Sequence, residues 1–260
     1  MITSVHNPRI QAIGKLQRQA KERREKQAFV IEGVRLAEEA LQGGWEAQLL
    51  LFTDQLDERG KAVVADFASR GVPVEQVTDA VMNAISETET PQGIMVVLPL
   101  LKLPIPENPD FVLILDGVRD PGNLGTILRT ALAAGVQAVL LAPGNVDPFA
   151  PKVVRAGMGA HFRLPLHQPG WDGIKKVLRA PGSKMRVYLA DSTAGISYLQ
   201  VDLRSPVAII VGGEAGGAGN ESAALADEVV HIPMPGGSES LNAAIAAGIL
   251  VFEVVRQRVN

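Results

Sequence analysis

The chain of 260 residues contains no cysteine. That single absence excludes disulfide frameworks, thiolate nucleophiles and Cys-ligated zinc or iron-sulfur centres, and it fits a reducing compartment. Histidine is scarce as well: the four present (His6, His161, His167 and His231) include no HExxH arrangement, so no metal site is expected. No run of about 18 uncharged apolar residues occurs, and the opening MITSVHNPRIQ lacks a signal-peptide core. The expectation is a cytoplasmic protein with no membrane partner.

What is present is an ordinary globular composition, 47% hydrophobic and 20% charged, enough to bury a substantial core. The net charge of -3 conceals a polarised distribution. Residues 1-35 hold eight basic residues (Arg9, Lys15, Arg18, Lys21, Arg23, Arg24, Lys26 and Arg35) against three Glu, a local balance of +5. Residues 36-109 carry four basic and twelve acidic side chains. A run such as KERREK reads either as a solvated helix face or as a contact for phosphates, which supply the sequence-independent part of nucleic-acid affinity.

Four prolines (Pro99, Pro104, Pro106 and Pro109) fall within eleven residues, forbidding a continuous helix and interrupting any strand ladder. A linker is therefore expected at 99-109, between domains at 1-98 and 110-260. In the first, a helix from Pro8 capped by Asn7 is followed by an apolar run at Phe29-Ile31 and a helix through Val34-Leu41. A strand at Gln48-Phe52, a helix at Glu58-Ser69, a strand at Val74-Val77, a short helix near Ala80-Ile85 and a strand at Gly93-Leu98 complete a small α/β domain. The second half has nearly unbroken apolar runs (Phe111-Leu115, Ala138-Leu141, Val187-Ala190, Val207-Val211 and Val229-Ile232). Such runs suit a mostly parallel sheet covered on both faces.

Ligands of open parallel sheets bind beyond the carboxyl ends of the strands, and three loops there are unusual. The first delivers Asn123, a good helix cap, to a helix that carries Arg129 and ends near Gly135. The second, Gly212-Gly213-Glu214-Ala215-Gly216-Gly217-Ala218-Gly219, places five glycines in eight residues, allowing a ligand close to the backbone. The third runs from Ile232 and Met234 through a Gly-Gly turn to Ser240, Leu241 and Asn242, then into a helix. Leu241, Ile245, Gly248, Phe252 and Val255 form one apolar stripe on it, and the small residues at 243-248 suit close helix packing in the core or a dimer seam. The glycines do not have GxGxxG spacing, no Lys completes GxxxxGK[ST], and GxSxG is absent. Dinucleotide, P-loop and α/β-hydrolase sites are thus disfavoured. Taken singly, Asn123 reads as a cap, Arg129 as a surface residue and Glu214 as a solvated carboxylate; polar groups among glycines on three loops of one sheet edge read as an assembled site.

The order NLGTILRTA, IIVGGEAGGAG and IPMPGGSESLNAAIAAGILVFE resembles the three motifs of the SpoU (TrmH-like) branch of the SPOUT RNA 2'-O-ribose methyltransferases. NPRIQAIGKL, FVIEGVRLAEEAL and TPQGIMVVL resemble that family's N-terminal substrate-binding domain, so the likeness spans nearly the whole chain. One departure is Gly213, where the second motif more often has Asn.

The resemblance implies a C-terminal sheet tied in a trefoil knot, a smaller ribosomal-protein-like α/β domain in front, and a homodimer. It implies S-adenosylmethionine as cofactor, held by Gly212, Gly213, Ile232, Met234 and Leu241. It places Asn123, Arg129, Glu214, Ser240 and Asn242 around the reacting ribose. Arg9, Lys15, Arg23, Arg24, Lys26 and Arg35 become candidate RNA contacts, with ribosomal RNA favoured over tRNA. A non-catalytic RNA-binding protein retaining the fold is the alternative of a different class. Methyl transfer from a sulfonium needs in-line approach and a dry pocket but no metal. Because an Arg side chain is effectively always protonated, Arg129 is expected to bind a phosphate beside the ribose and lower the hydroxyl's pKa rather than act as base.

Overall fold

A computed structural model describes residues 1-192, 194-213 and 216-259. In chain order the elements are α1 (Pro8–Arg18), α2 (Ala20–Lys26), β1 (Ala28–Glu32), α3 (Val34–Gln42), β2 (Leu49–Phe52), α4 (Glu58–Ser69), β3 (Val74–Gln76), α5 (Asp79–Ile85) and β4 (Ile94–Pro99). There follow β5 (Phe111–Asp116), α6 (Pro121–Ala133), β6 (Ala138–Leu141), α7 (Pro151–Gly157), β7 (Leu166–His167), α8 (Gly170–Leu178) and β8 (Arg186–Ala190). The last are β9 (Ile196–Ser197), β10 (Val207–Gly212), α9 (Asn220–Leu225), β11 (Glu228–His231) and α10 (Ala243–Val259). None of these helices is long and apolar enough to cross a membrane.

The chain divides into two compact units, Met1–Leu101 with Phe149–Phe162, and Lys102–Pro148 with Arg163–Asn260. The first is built on a four-stranded sheet ordered β1-β4-β2-β3, antiparallel except for the β2/β3 pair. Asn7 caps α1 by accepting from the Arg9 N–H at 2.9 Å, and Ile10, Ile13 and Leu16 of that helix join Val81, Met82 and Ile85 of α5 over Val30, Met95 and Val97. Phe29, on the alternate face of β1, meets the rings of Trp45 at 5.9 Å and Phe149 at 5.0 Å. Trp45 in turn packs on Phe162 and donates its indole N–H to the Phe162 carbonyl at 3.3 Å.

This aromatic cluster explains why the first unit is not one continuous segment. Residues 149-162, expected in the second domain, belong with the first unit, because burying a large side chain is worth about 1.5–3 kcal/mol and these rings find their partners there. A second departure lies in the basic segment, where Arg23 is 4% exposed.

The second unit is a seven-stranded sheet ordered β7-β6-β5-β10-β8-β11-β9, every pair parallel. Its central strands are buried along their length, as a sheet covered on both faces requires. From β5 the chain moves outward to β6 and β7, crosses to β8 and β9, and then inserts β10 between β5 and β8. The direction of travel thus reverses at β5 and β10, which places the loops after these strands at the switch point where open α/β sheets bind ligands. α10 packs on α6 and β10. The buried residues of α10 are Ala243, Ala244, Ala247, Leu250, Val251, Glu253 and Val254. The expected stripe faces the other way: Ile245 and Phe252 are 55% and 47% exposed, so core packing is supplied by the small and branched residues between them.

Candidate active site

The loop after β5 is shaped by a residue outside the three motifs. Asn145 accepts from the Val118 N–H at 2.8 Å and donates its amide to the carbonyls of Leu115 and Ala142 at 2.8 and 2.7 Å. The cap of α6 is Asp120, whose carboxylate accepts from the Asn123 N–H at 2.7 Å. Asn123 is therefore not the cap expected of it. A Pro at the first helical position extends α6 back to residue 121, which leaves the Asn123 side chain available for another partner. That partner is Asn242, which donates its side-chain N–H to Asn123 Oδ1 at 3.0 Å. Asn242 is itself the cap of α10, its Oδ1 accepting from the N–H groups of Ala244 at 2.9 Å and Ile245 at 3.3 Å. One amide thus caps a helix and bridges to the first loop.

Beside this bridge lies a cavity of about 400 Å³. Gly212, Gly213, Ile232, Met234 and Leu241, the five expected cofactor residues, all line it, together with Ser240 and Asn242. The glycines are required sterically: a Cβ on Gly213 would collide with the Gly117 carbonyl, and one on Gly212 with the backbone of Gly217 and Ala218. Val211, Val230, Ile232, Met234 and Leu241 supply apolar wall, while Gly212, Gly213 and Gly217 bring backbone polar groups to the edge without intervening side chains. Asp191 and Ser192, immediately after β8, also line the cavity. Neither was expected there from the sequence, although a position just beyond an apolar run is the signal that marked the other loops. Asp191 Oδ1 accepts from the Ala194 N–H at 2.9 Å. An apolar slot with backbone hydrogen-bonding groups and a carboxylate at its rim fits the adenine, sulfonium and ammonium groups of S-adenosylmethionine.

Arg129 projects from the exposed side of α6, six residues and so about 9 Å along the axis from Asn123, and does not line the cavity. Glu214 lies outside the described residues.

In the first unit, Lys15, Arg24, Lys26 and Arg35 are exposed, and exposed Arg9 pairs with Glu75. Arg23 is different. Its guanidinium donates to the carbonyls of Leu16 and Gln17 at 2.5 and 2.9 Å, closing the end of α1 against α2. These carbonyls have no helical partner at a C-terminus, so Arg23 is placed as a structural residue and corrected from the set of RNA contacts.

Comparison with known proteins gives this geometry its context. Residues 110–252 match the SpoU rRNA Methylase family and residues 7–96 the MRM3-like substrate binding domain. The chain is 36% identical, over 97% of its length and 98% of the relative's, to the 23S rRNA (guanosine(2553)-2'-O)-methyltransferase RlmP of Bacillus subtilis. The AdoMet-bound rRNA methyltransferase from Sinorhizobium meliloti superposes with a TM-score of 0.87 at 34% identity, covering 98% of this chain and 97% of that one. The SpoU methyltransferase AviRb from Streptomyces viridochromogenes, in complex with AdoMet, gives a TM-score of 0.87 at 27% identity, covering 97% and 99%. The chain, with its parallel sheet, its second and third motif loops lining one cavity and its first joined to the third through Asn123 and Asn242, belongs to the SpoU rRNA methylase family.

Proposed function

We propose that this protein transfers a methyl group from S-adenosylmethionine to a ribose 2'-hydroxyl of ribosomal RNA. The observation that carries the reading is the cavity lined by Gly212, Gly213, Ile232, Met234 and Leu241 with Asn242, its bridge to Asn123 alongside. The Bacillus subtilis relative is a 23S rRNA 2'-O-methyltransferase, and two solved relatives have AdoMet bound. Bound S-adenosylmethionine supplies an electrophilic methyl on a sulfonium. The apolar walls of the cavity exclude water from it, and the glycine backbone fixes its orientation. Asn123, Ser240 and Asn242 offer amide and hydroxyl groups to orient the incoming 2'-hydroxyl. Arg129, a permanent cation, holds a phosphate beside the target ribose, and Glu214 acts from the glycine loop. The exposed cations Arg9, Lys15, Arg24, Lys26 and Arg35 contact the RNA backbone, since RNA is recognised mainly through shape, phosphates and 2'-hydroxyls.

The same reading includes a homodimer, supported by exposed Ile245 and Phe252 on α10, and a trefoil knot. The knot is supported by residues 194-206, which pair with β11 through β9 and hydrogen-bond the far end of α10 where Gln257 meets Val201 and Leu203. A cytoplasmic place of action completes it, consistent with a cysteine-free chain.

Calorimetric titration with S-adenosylmethionine and NAD, followed by transfer of labelled methyl to ribosomal RNA and to tRNA, tests the reading. Selective S-adenosylmethionine binding with label on ribose of ribosomal RNA is expected. RNA binding without transfer would replace it with the non-catalytic alternative, and label on tRNA alone would replace the substrate. For Arg129, substitution by Lys should weaken RNA affinity; unchanged affinity with a shifted pH-rate profile would make it a proton-transfer group instead.

A further inference from the structure

The glycine-rich loop between β10 and α9 is held at both ends by one residue. Asp116, the last residue of β5, accepts the Gly213 N–H on its backbone carbonyl at 2.8 Å. Its carboxylate oxygen Oδ2 accepts from both the Gly219 N–H and the Ser222 hydroxyl, each at 2.7 Å. Between these anchors the Gly217 N–H donates to the Gly213 carbonyl at 3.2 Å. Ser222 is 0% exposed, so its hydroxyl depends on a protein acceptor. Asp116 does not line the cavity, whereas Gly212, Gly213 and Gly217 do.

We propose that Asp116 is a positioning residue that sets the backbone of Gly212, Gly213 and Gly217–Gly219 where the loop meets the cavity. The reason for a carboxylate is physical. A glycine-rich loop has the most backbone freedom to lose on ordering, and one charged oxygen taking two donors makes the short, strong hydrogen bonds that can hold it. Asp116 also opens the first loop: the next residue, Gly117, presents the carbonyl against which Gly213 is packed. The loop that carries Asn123 and the loop that walls the cavity therefore share one base, and displacement of Asp116 moves both.

The consequence for cofactor binding rests on the reading of the cavity as the S-adenosylmethionine site; the loop geometry does not. Asp116→Ala, Asp116→Asn and Ser222→Ala separate the two. Amide hydrogen exchange at Gly213, Gly217 and Gly219 without cofactor reports the loop, and calorimetry with S-adenosylmethionine reports the cavity. Asp116→Ala should speed exchange at these amides by about tenfold or more and weaken cofactor binding by about tenfold. Asp116→Asn, whose amide oxygen can accept the same two donors, should recover most of both. Ser222→Ala, which leaves the Gly219 hydrogen bond in place, should shift both by less and in the same direction. Unchanged loop exchange in Asp116→Ala would overturn the proposal, as would an Asn variant that loses binding while its loop amides stay protected, since the charge and not the loop would then matter. If Asp116→Ala does not fold, Asp116→Asn and Ser222→Ala decide the matter: parental exchange in Ser222→Ala overturns it. A parent protein that does not bind S-adenosylmethionine overturns the cofactor reading, and the exchange rates still decide the role of Asp116.

Discussion

The side chain of Asn242 donates to Asn123 Oδ1 at 3.0 Å while its own oxygen caps α10, so the first and third motif loops meet through a single amide. The two duties can be separated. Asn242→Ala loses the cap, worth about 1 kcal/mol, and also the bridge. Asn242→Asp keeps an oxygen on the Ala244 N–H but brings a carboxylate against the Asn123 oxygen. Both variants should lose about 100-fold or more in methyl transfer, whereas only Asn242→Ala should show the lowered melting temperature of an uncapped helix. Retained activity in Asn242→Asp would mean that the bridge is dispensable.

Arg23 and its neighbours should behave as opposites. Arg23→Ala leaves the Leu16 and Gln17 carbonyls without their buried donor and should cost about 1–3 kcal/mol in denaturant unfolding, with the salt dependence of RNA binding unchanged. Arg24→Ala with Lys26→Ala should leave stability near parental and make the slope of log K against log salt shallower by about 0.7–0.9 for each phosphate no longer neutralised. An altered slope in Arg23→Ala at parental stability would return that residue to the binding surface.

The outward stripe of α10 predicts association. Ile245→Asp and Phe252→Asp place charge on residues that are 55% and 47% exposed in the single chain, so neither should damage the core. Sedimentation should find a dimer for the parent and a monomer for the variants, with weakened methyl transfer. A monomeric parent would remove the dimer.

Acid should loosen the C-terminal end of α10. Glu253, 6% exposed, accepts from Arg256 at 2.7 and 2.8 Å and from Gln257 at 2.8 Å. The hydrogen-bonded Arg256 guanidinium holds its carboxyl below the usual 4.5, against the opposing effect of burial. Because the folded pKa lies below the unfolded one, the unfolded chain takes up the proton first. The stabilisation is therefore complete above the unfolded value and is lost as pH falls through the folded one. Melting temperatures from pH 6 downward should fall more steeply for the parent than for Glu253→Gln; parallel curves would exclude this contribution.

Much of this molecule follows from local rules. The α4 helix occupies Glu58–Ser69 as its period indicates, and the unbroken apolar runs became β5, β6, β8 and β10, because a strand buried on both faces needs a continuous apolar sequence. The two-residue strands β7 and β9 carry no periodicity to detect. The five residues assigned to the cofactor site share one cavity wall because their motifs follow successive strands of one sheet edge, an order already written in the chain.

Other features depend on partners distant in sequence. Asp120 rather than Asn123 caps α6, since both are good caps and only the entry path of the chain selects between them. Residues 149-162 belong with the first unit because Phe29 and Trp45, more than a hundred residues earlier, supply the ring partners of Phe149 and Phe162. Arg23 sits in a basic run yet points inward, where two helix-end carbonyls need a donor. An apolar stripe such as Ile245 and Phe252 has the same spacing whether a core or a second chain covers it. Asp191 joins the cavity only because β8 lies between β10 and β11. Local sequence determined which residues could form the elements and the motif loops; long-range packing and hydrogen bonding decided which side chains met, because those partners come from chain segments that only the folded sheet brings together.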